Sequence, residues 1–141
     1  MSEWLHDHNL EGKSVLDYGC GSGILAVAAK KLGASRVLGT DIDPQAIEAA
    51  DYNAEVNRAD ASFYLPEDMP DEKFDVVVAN ILSNPLRLLA PALLARVKKG
   101  GYLVLSGILE RQAEELIEGY DSPLSVWKSM DGWICLAGQI H

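Results

Sequence analysis

Two carboxylates and one amide, each at the end of an apolar run, have the types and spacing to do chemistry in this sequence. Asp17 closes Val15-Leu16-Asp17 and is followed by Gly19, Gly21 and Gly23 at every second position. Glycines so placed let a backbone turn tightly and approach a ligand with no Cβ in the way. Between a strand and a helix, such a turn presents free N–H groups and the positive end of the helix to what binds. Read from Gly21, with Gly23 and Ala26, the same turn also fits a dinucleotide-binding pattern. Asp17 separates the readings: a carboxylate there repels a pyrophosphate and attracts an ammonium or a sulfonium. A tight turn beside a solvated acid is the plainer explanation, and the next acid counts against it. Asp41 stands 22 residues past Gly19, where a nucleotide-binding βαβ unit holds the ribose hydroxyl pair. Both oxygens of one carboxylate can accept from the two hydroxyls. Asn80 ends the run Phe74 to Ala79, and its side-chain carbonyl can accept from an amine and aim the nitrogen. It could instead cap the next helix, although Ser83 and Asn84 are available for that.

The elements that must position these groups are legible as alternating strands and helices. Strands are expected at Ser14 to Asp17, Arg36 to Thr40, Ala61 to Leu65 and Phe74 to Ala79, the last read as fully buried, as suits the middle of a parallel sheet. Ile24 to Leu32 reads as an Ala-rich helix stopped at Gly33. Asp43-Pro44 opens a second helix, Asp43 as N-cap and Pro44 at the first helical position, with Ile47, Ala50 and Ala54 as its apolar stripe. Leu86 to Val97 is expected as a helix with a possible kink at Pro91, ended by Lys98-Lys99-Gly100-Gly101. Tyr102 to Ser106 follows as a strand and Gly107 to Glu110 leads into a helix through Ile117. Leu124 to Ser129 and Trp133 to Gly138 form a closing hairpin about Met130-Asp131-Gly132. Ligands of such a sheet bind outside the carboxyl ends of its strands, beside the switch point next to the first strand. Asp17, Asp41 and Asn80 all fall there.

The 141 residues allow one domain, and 48% hydrophobic with 23% charged residues is ordinary for a globular chain. No run has the length of a membrane span and the start lacks a signal-peptide layout, so a cytoplasmic protein without membrane contact is expected. Twelve basic against 21 acidic residues give a net charge of −9, which argues against direct contact with nucleic acid. Cys20 and Cys135 give neither a disulfide framework nor metal-ligand spacing. His6 and His8 diverge on a helix, so no metal site is expected.

Asp17-x-Gly19-x-Gly21-x-Gly23 resembles the first motif of the seven-strand methyltransferases, which suits a cofactor, S-adenosylmethionine, carrying both an ammonium and a sulfonium. Val15 to Ala26, Asp41-Ile42-Asp43-Pro44, Val77-Val78-Ala79-Asn80-Ile81-Leu82 and Leu105-Ser106-Gly107-Ile108-Leu109 with Gln112-Ala113 together resemble the bacterial methyltransferase of ribosomal protein L eleven. The resemblance runs from Trp4 onward, and its Asn-Ile-Leu and Ser-Gly-Ile-Leu stretches are the specific ones. It implies a doubly wound, Rossmann-like α/β sandwich of seven strands, mostly parallel, with a C-terminal antiparallel hairpin. It implies S-adenosylmethionine as cofactor, held by Asp17, Gly19, Gly21, Gly23, Asp41, Ile42 and Asn80, with Asn80 also the catalytic residue. It implies transfer of methyl groups to the N-terminal α-amine and lysine ε-amines of a ribosomal protein by a monomer. Residues 1–141 would be a single catalytic domain, without the family's N-terminal substrate-recognition domain and without the Thr- and His-containing Gly-rich stretch that covers the cofactor. Three rivals stay open. One is a non-catalytic cofactor-binding fragment. Another is an amino-methyltransferase for a small molecule or nucleic acid, opposed by the absence of an aromatic after Asn80. A dehydrogenase is opposed by Asp17.

Overall fold

The chain order is β1 (Ser14–Tyr18), α1 (Ile24–Lys31), β2 (Arg36–Thr40), α2 (Pro44–Val56), β3 (Ala61–Tyr64), a 3-10 turn (Pro66–Asp68), β4 (Phe74–Asn80), β5 (Val97–Leu109), β6 (Ser125–Met130) and β7 (Trp133–Gln139). The computed structural model describes residues 5, 8–80, 92–109, 125–130 and 133–140. Among them, seven strands form one sheet in the order β3-β2-β1-β4-β5-β7-β6. β1 to β5 pair in parallel, and β7 runs antiparallel to both β5 and β6. The order turns back between β1 and β4, so the central carboxyl ends are those of β1, β2 and β4.

Strict alternation along the strands decides which side chains go to which face. Val15, Val37, Val76, Val78 and Val104 point to one side, where Ala26 and Ala29 of α1 and Ala50 and Ala54 of α2 cover them. Leu16, Leu38, Val77, Ala79, Leu103 and Leu105 point to the other, with Leu93 against them. Alanines at spacings of three and four let α1 and α2 lie close on the valine face. β1 and β4 are buried along most of their length, which explains why Val15-Leu16 and Val76 to Ala79 read as continuous apolar stretches rather than alternating ones.

α2 starts as its sequence demands. The Asp43 carboxylate accepts from the Gln45 N–H at 2.9 Å, with Pro44 in the first turn. At the amino ends of the strands, Asp75 ties β4 to β1: its Oδ2 accepts from the N–H and hydroxyl of Ser14 at 2.9 and 3.1 Å. Burial pushes the Asp75 carboxyl up, but the Ser14 donors and the nearby Lys98 and Lys13 outweigh it and hold it below its ordinary value.

Three expectations change. Lys98-Lys99-Gly100-Gly101 does not end a helix: helical turns stop by residue 94 and β5 already begins at Val97, paired with Phe74. Gly100 sits at φ 86° and its N–H donates to the Ile140 carbonyl at 2.6 Å, so pairing with distant strands holds the segment. β5 also runs past Ser106 to Leu109, through an irregularity in its pairing with β7 between Leu105 and Ile108. β6 and β7 each reach one residue beyond the expected hairpin strands. The expected stretch of helix at 86–91, the kink at Pro91, the helix through Ile117 and the turn at 131–132 lie outside the described residues.

Candidate active site

The acid–glycine turn joins β1 to α1 and is held from three sides. From β2, the Thr40 carbonyl accepts from the N–H groups of Gly19 and Cys20 at 2.8 and 2.9 Å. From just beyond β2, Asp41 Oδ2 accepts from the Gly21 N–H at 2.9 Å, while its Oδ1 accepts from the Asp43 N–H at 3.0 Å. From α2, the Asn53 amide donates to the Ser22 carbonyl at 2.9 Å. The turn therefore does not present a row of free N–H groups as expected. Those of Gly19, Cys20, Gly21 and Gly23 are all taken within the protein.

The glycines differ in what requires them. Gly21 and Gly23 both lie in the left-handed region, at φ 53° and 81°. A Cβ on Gly23 would stand 2.9 Å from the Ala50 Cβ and 3.1 Å from the Phe63 ring, so Gly23 is needed for α2 to close on the turn. A Cβ on Gly21 would meet nothing within 4 Å; that side of the turn is open.

Asp17 is the unusual residue. It is 1% exposed, and its Oδ2 has no hydrogen-bond partner among the described residues. It lies on the valine face, under the start of α1. Loss of hydration pushes its carboxyl up to about 7; the Ala26 N–H pulls against this and the Asp41 carboxylate adds to it. α1 has no side-chain cap, only Gly23 at its N-cap position. The positive end of this helix thus faces a protein carboxylate, where a dinucleotide fold would place a phosphate. Burial and the same two carboxylates push the Cys20 thiol up to about 12, so it stays a neutral packing group.

Ile42 follows Asp41 and is 84% exposed, an aliphatic side chain left in solvent beside the turn. Asn80 is the last residue of β4, its backbone paired with Ser106 and one step past the Tyr18–Ala79 pair of β1. The backbone thus brings Asp17, the turn, Asp41 and Asn80 to one end of the sheet, as expected. Thr40 and Asn53 were not singled out by the sequence. Thr40 acts through its carbonyl, which carries no side-chain signal, whereas Asn53 is a polar residue three past Ala50, on the stripe facing the sheet. Among the described residues, no cluster of His, Cys, Asp and Glu could hold a metal ion, and no helix is long and apolar enough to cross a membrane. A cleft of about 240 Å3 opens at the amino ends of the strands, away from the turn, lined by His8, Lys13, Asp75, Gly100 and Tyr102 among others.

A mostly parallel sheet with an antiparallel β7 wedged between β5 and β6, and an acid–glycine turn after β1, define the Rossmann-like methyltransferase fold. The 16S rRNA N2 G1207 methyltransferase of T. thermophilus, solved with AdoMet and guanosine, shares that fold with a TM-score of 0.82 at 20% identity, over 99% of this chain and 40% of its own. The particular family is narrower. Residues 2–141 match the ribosomal protein L11 methyltransferase family, and the chain belongs to it. It is 61% identical over 138 residues to the ribosomal protein L11 methyltransferase of Ralstonia pickettii, covering 96% of this chain and 46% of that one. The crystal structure of ribosomal protein L11 methylase from Lactobacillus delbrueckii subsp. bulgaricus superposes with a TM-score of 0.88 at 34% identity, over 99% of this chain and 77% of that one. The chain therefore spans about half the length of the curated relatives it matches.

Proposed function

We propose that residues 1–141 form a catalytic domain that binds S-adenosylmethionine at the carboxyl ends of β1, β2 and β4 and methylates amino groups of ribosomal protein L11. The observation that carries the cofactor is Asp17, a buried carboxylate with one oxygen lacking a partner, in a chain that matches this family over nearly its whole length. Such a group is costly unless a positive charge reaches it, and the cofactor brings an ammonium and a sulfonium.

The other residues present fit the same molecule. Each carboxylate oxygen of Asp41 takes one N–H within the protein. Since each can accept twice, capacity remains for the ribose hydroxyls. The open side of Gly21 leaves room for a ligand against the backbone, and exposed Ile42 offers apolar cover for a base. The cofactor, when bound, supplies a methyl group activated by the neighbouring sulfonium charge. The protein has little acid–base chemistry left to do and contributes chiefly by positioning. Asn80 is assigned the amine: its amide carbonyl accepts one N–H of an unprotonated substrate nitrogen and aims the lone pair. The N-terminal α-amine and lysine ε-amines fit that role equally.

The test is mass spectrometry of purified ribosomal protein L11 after incubation with this chain and S-adenosylmethionine. Methyl groups on amines are expected, with Asn80→Ala slowing transfer by about 100-fold through lost alignment. Near-normal transfer by that variant would refute the role of Asn80. Cofactor binding without transfer to the ribosomal protein would withdraw the substrate assignment and leave the cofactor in place.

A further inference from the structure

We propose that Asp17 holds a proton in the free protein and gives it up when the cationic end of the ligand arrives, so that binding and proton release are one event. The inference rests on the S-adenosylmethionine reading above and concerns what this one carboxylate does in it.

The geometry leaves Asp17 few ways to stay ionised when the site holds only protein. It is 1% exposed and Oδ2 has no partner among the described residues. Among the described residues, the elements around it offer little positive charge beyond the amino end of α1. α1 contributes the Ala26 N–H alone. The adjoining positions of β2 and β4 are Gly39 and Val78, which cannot ionise. The turn contributes the neutral Cys20 thiol, and beyond β2 stands Asp41, a second negative group that works against ionisation. Asp51 of α2 adds to the field at Cys20, again with the wrong sign for stabilising an anion. Burial and Asp41 together push the Asp17 carboxyl up to about 7, close to the pH at which the protein would work. An ammonium placed against Oδ2 reverses the balance, and the proton leaves for solvent. The site would thereby favour cations, because only a cation repays the ionisation of Asp17.

The consequence is quantitative. With a free-state value of about 7, cation binding releases about 0.9 proton at pH 6 and about 0.1 at pH 8. Apparent affinity accordingly falls towards tenfold for each pH unit below 7.

The experiment is calorimetric titration of this chain with S-adenosylmethionine at pH 6 and pH 8, each in two buffers of different ionisation enthalpy. A parallel titration uses 5′-methylthioadenosine, which keeps the nucleoside and lacks both the amino acid end and the sulfonium. Proton release at pH 6 with the first ligand and none with the second is expected, and Asp17→Asn should abolish the release. If that variant does not fold, the carboxyl carbon-13 shift of Asp17 in the native chain decides. It should titrate near pH 7 when free and stay flat from pH 6 to 8 with S-adenosylmethionine bound. Binding without proton release, or equal release with both ligands, overturns this inference and leaves the proposed cofactor standing. Absence of any binding overturns both.

Discussion

Replacing Asp17 by Asn should stabilise the ligand-free protein at alkaline pH and leave it no more stable in acid. In the folded chain the carboxyl rises from its ordinary 3.8 to about 7. Between those two values the folded state binds more protons than the unfolded state, so native stability falls as pH rises through the window. The interval is about three pH units, each worth about 1.4 kcal/mol, so an ionised Asp17 costs the folded protein about 4 kcal/mol above pH 7. Asparagine has the same shape and no charge to bury. Its amide brings donors that the carboxyl lacked, and leaving them unmet costs about 1–3 kcal/mol. The variant should thus gain about 1–3 kcal/mol over the native chain at pH 8. At pH 4.5 both side chains are neutral, and the native chain should be equal or better. Urea unfolding at pH 4.5, 6, 7 and 8 gives the difference directly, since pH effects of all other groups cancel between the two proteins. A difference that does not change with pH would refute the reasoning, because it would mean that Asp17 is either not desolvated or already paired.

Two glycines of the turn should separate stability from binding. Gly23→Ala forces a methyl against Ala50 and Phe63 at a positive φ, so unfolding should become easier by about 2–4 kcal/mol. Gly21→Ala meets no protein atom and should cost only the backbone strain of about 1–2 kcal/mol, while weakening S-adenosylmethionine binding more than Gly23→Ala does at a temperature where both are folded. Denaturation curves and calorimetry read the two effects apart. Asp75→Ala removes the one carboxylate oxygen that accepts from both the N–H and the hydroxyl of Ser14 at the far ends of the strands, and leaves the backbone N–H of position 75 donating to that hydroxyl. It should cost about 1–3 kcal/mol and leave cofactor affinity within about twofold, a difference within typical context error. The native Asp75 contribution is present above the ordinary carboxylate range and is lost as pH falls through its lowered folded value, so Asp75→Ala should also flatten the acid limb of stability.

What the sequence disclosed and what it hid divide along the range of the interactions involved. Asp43-Pro44 announced its helix because capping is settled within three residues. The run Phe74 to Ala79 announced a strand in the middle of a parallel sheet because neighbouring side chains take opposite sides and Val76 to Ala79 are apolar on both. Lys98-Lys99-Gly100-Gly101 misled for the opposite reason. Locally it carries every sign of a helix stop, and it is a strand start because Phe74 and Ile140, both far along the chain, pair with it. The positions of Asp17 and Asp41 relative to the glycines could be read from spacing. That Asp41 clamps the turn through Gly21, and that Asp17 ends with a bare oxygen under α1, are facts of three-dimensional packing. Gly23 looked like a ligand-approach glycine and is a packing glycine, since its neighbour Ala50 comes from the next helix.

The decisive measurement is a titration of the nitrogen-15-labelled chain with S-adenosylmethionine, followed by amide chemical shifts. Saturable shifts at Gly19, Gly21, Asp41, Ile42 and Asn80, with His8, Lys13 and Tyr102 at the other end of the sheet unmoved, are predicted. Shifts confined to the cleft around His8 and Tyr102, or none in the turn at saturating cofactor, would contradict the placement of the site and the function built on it.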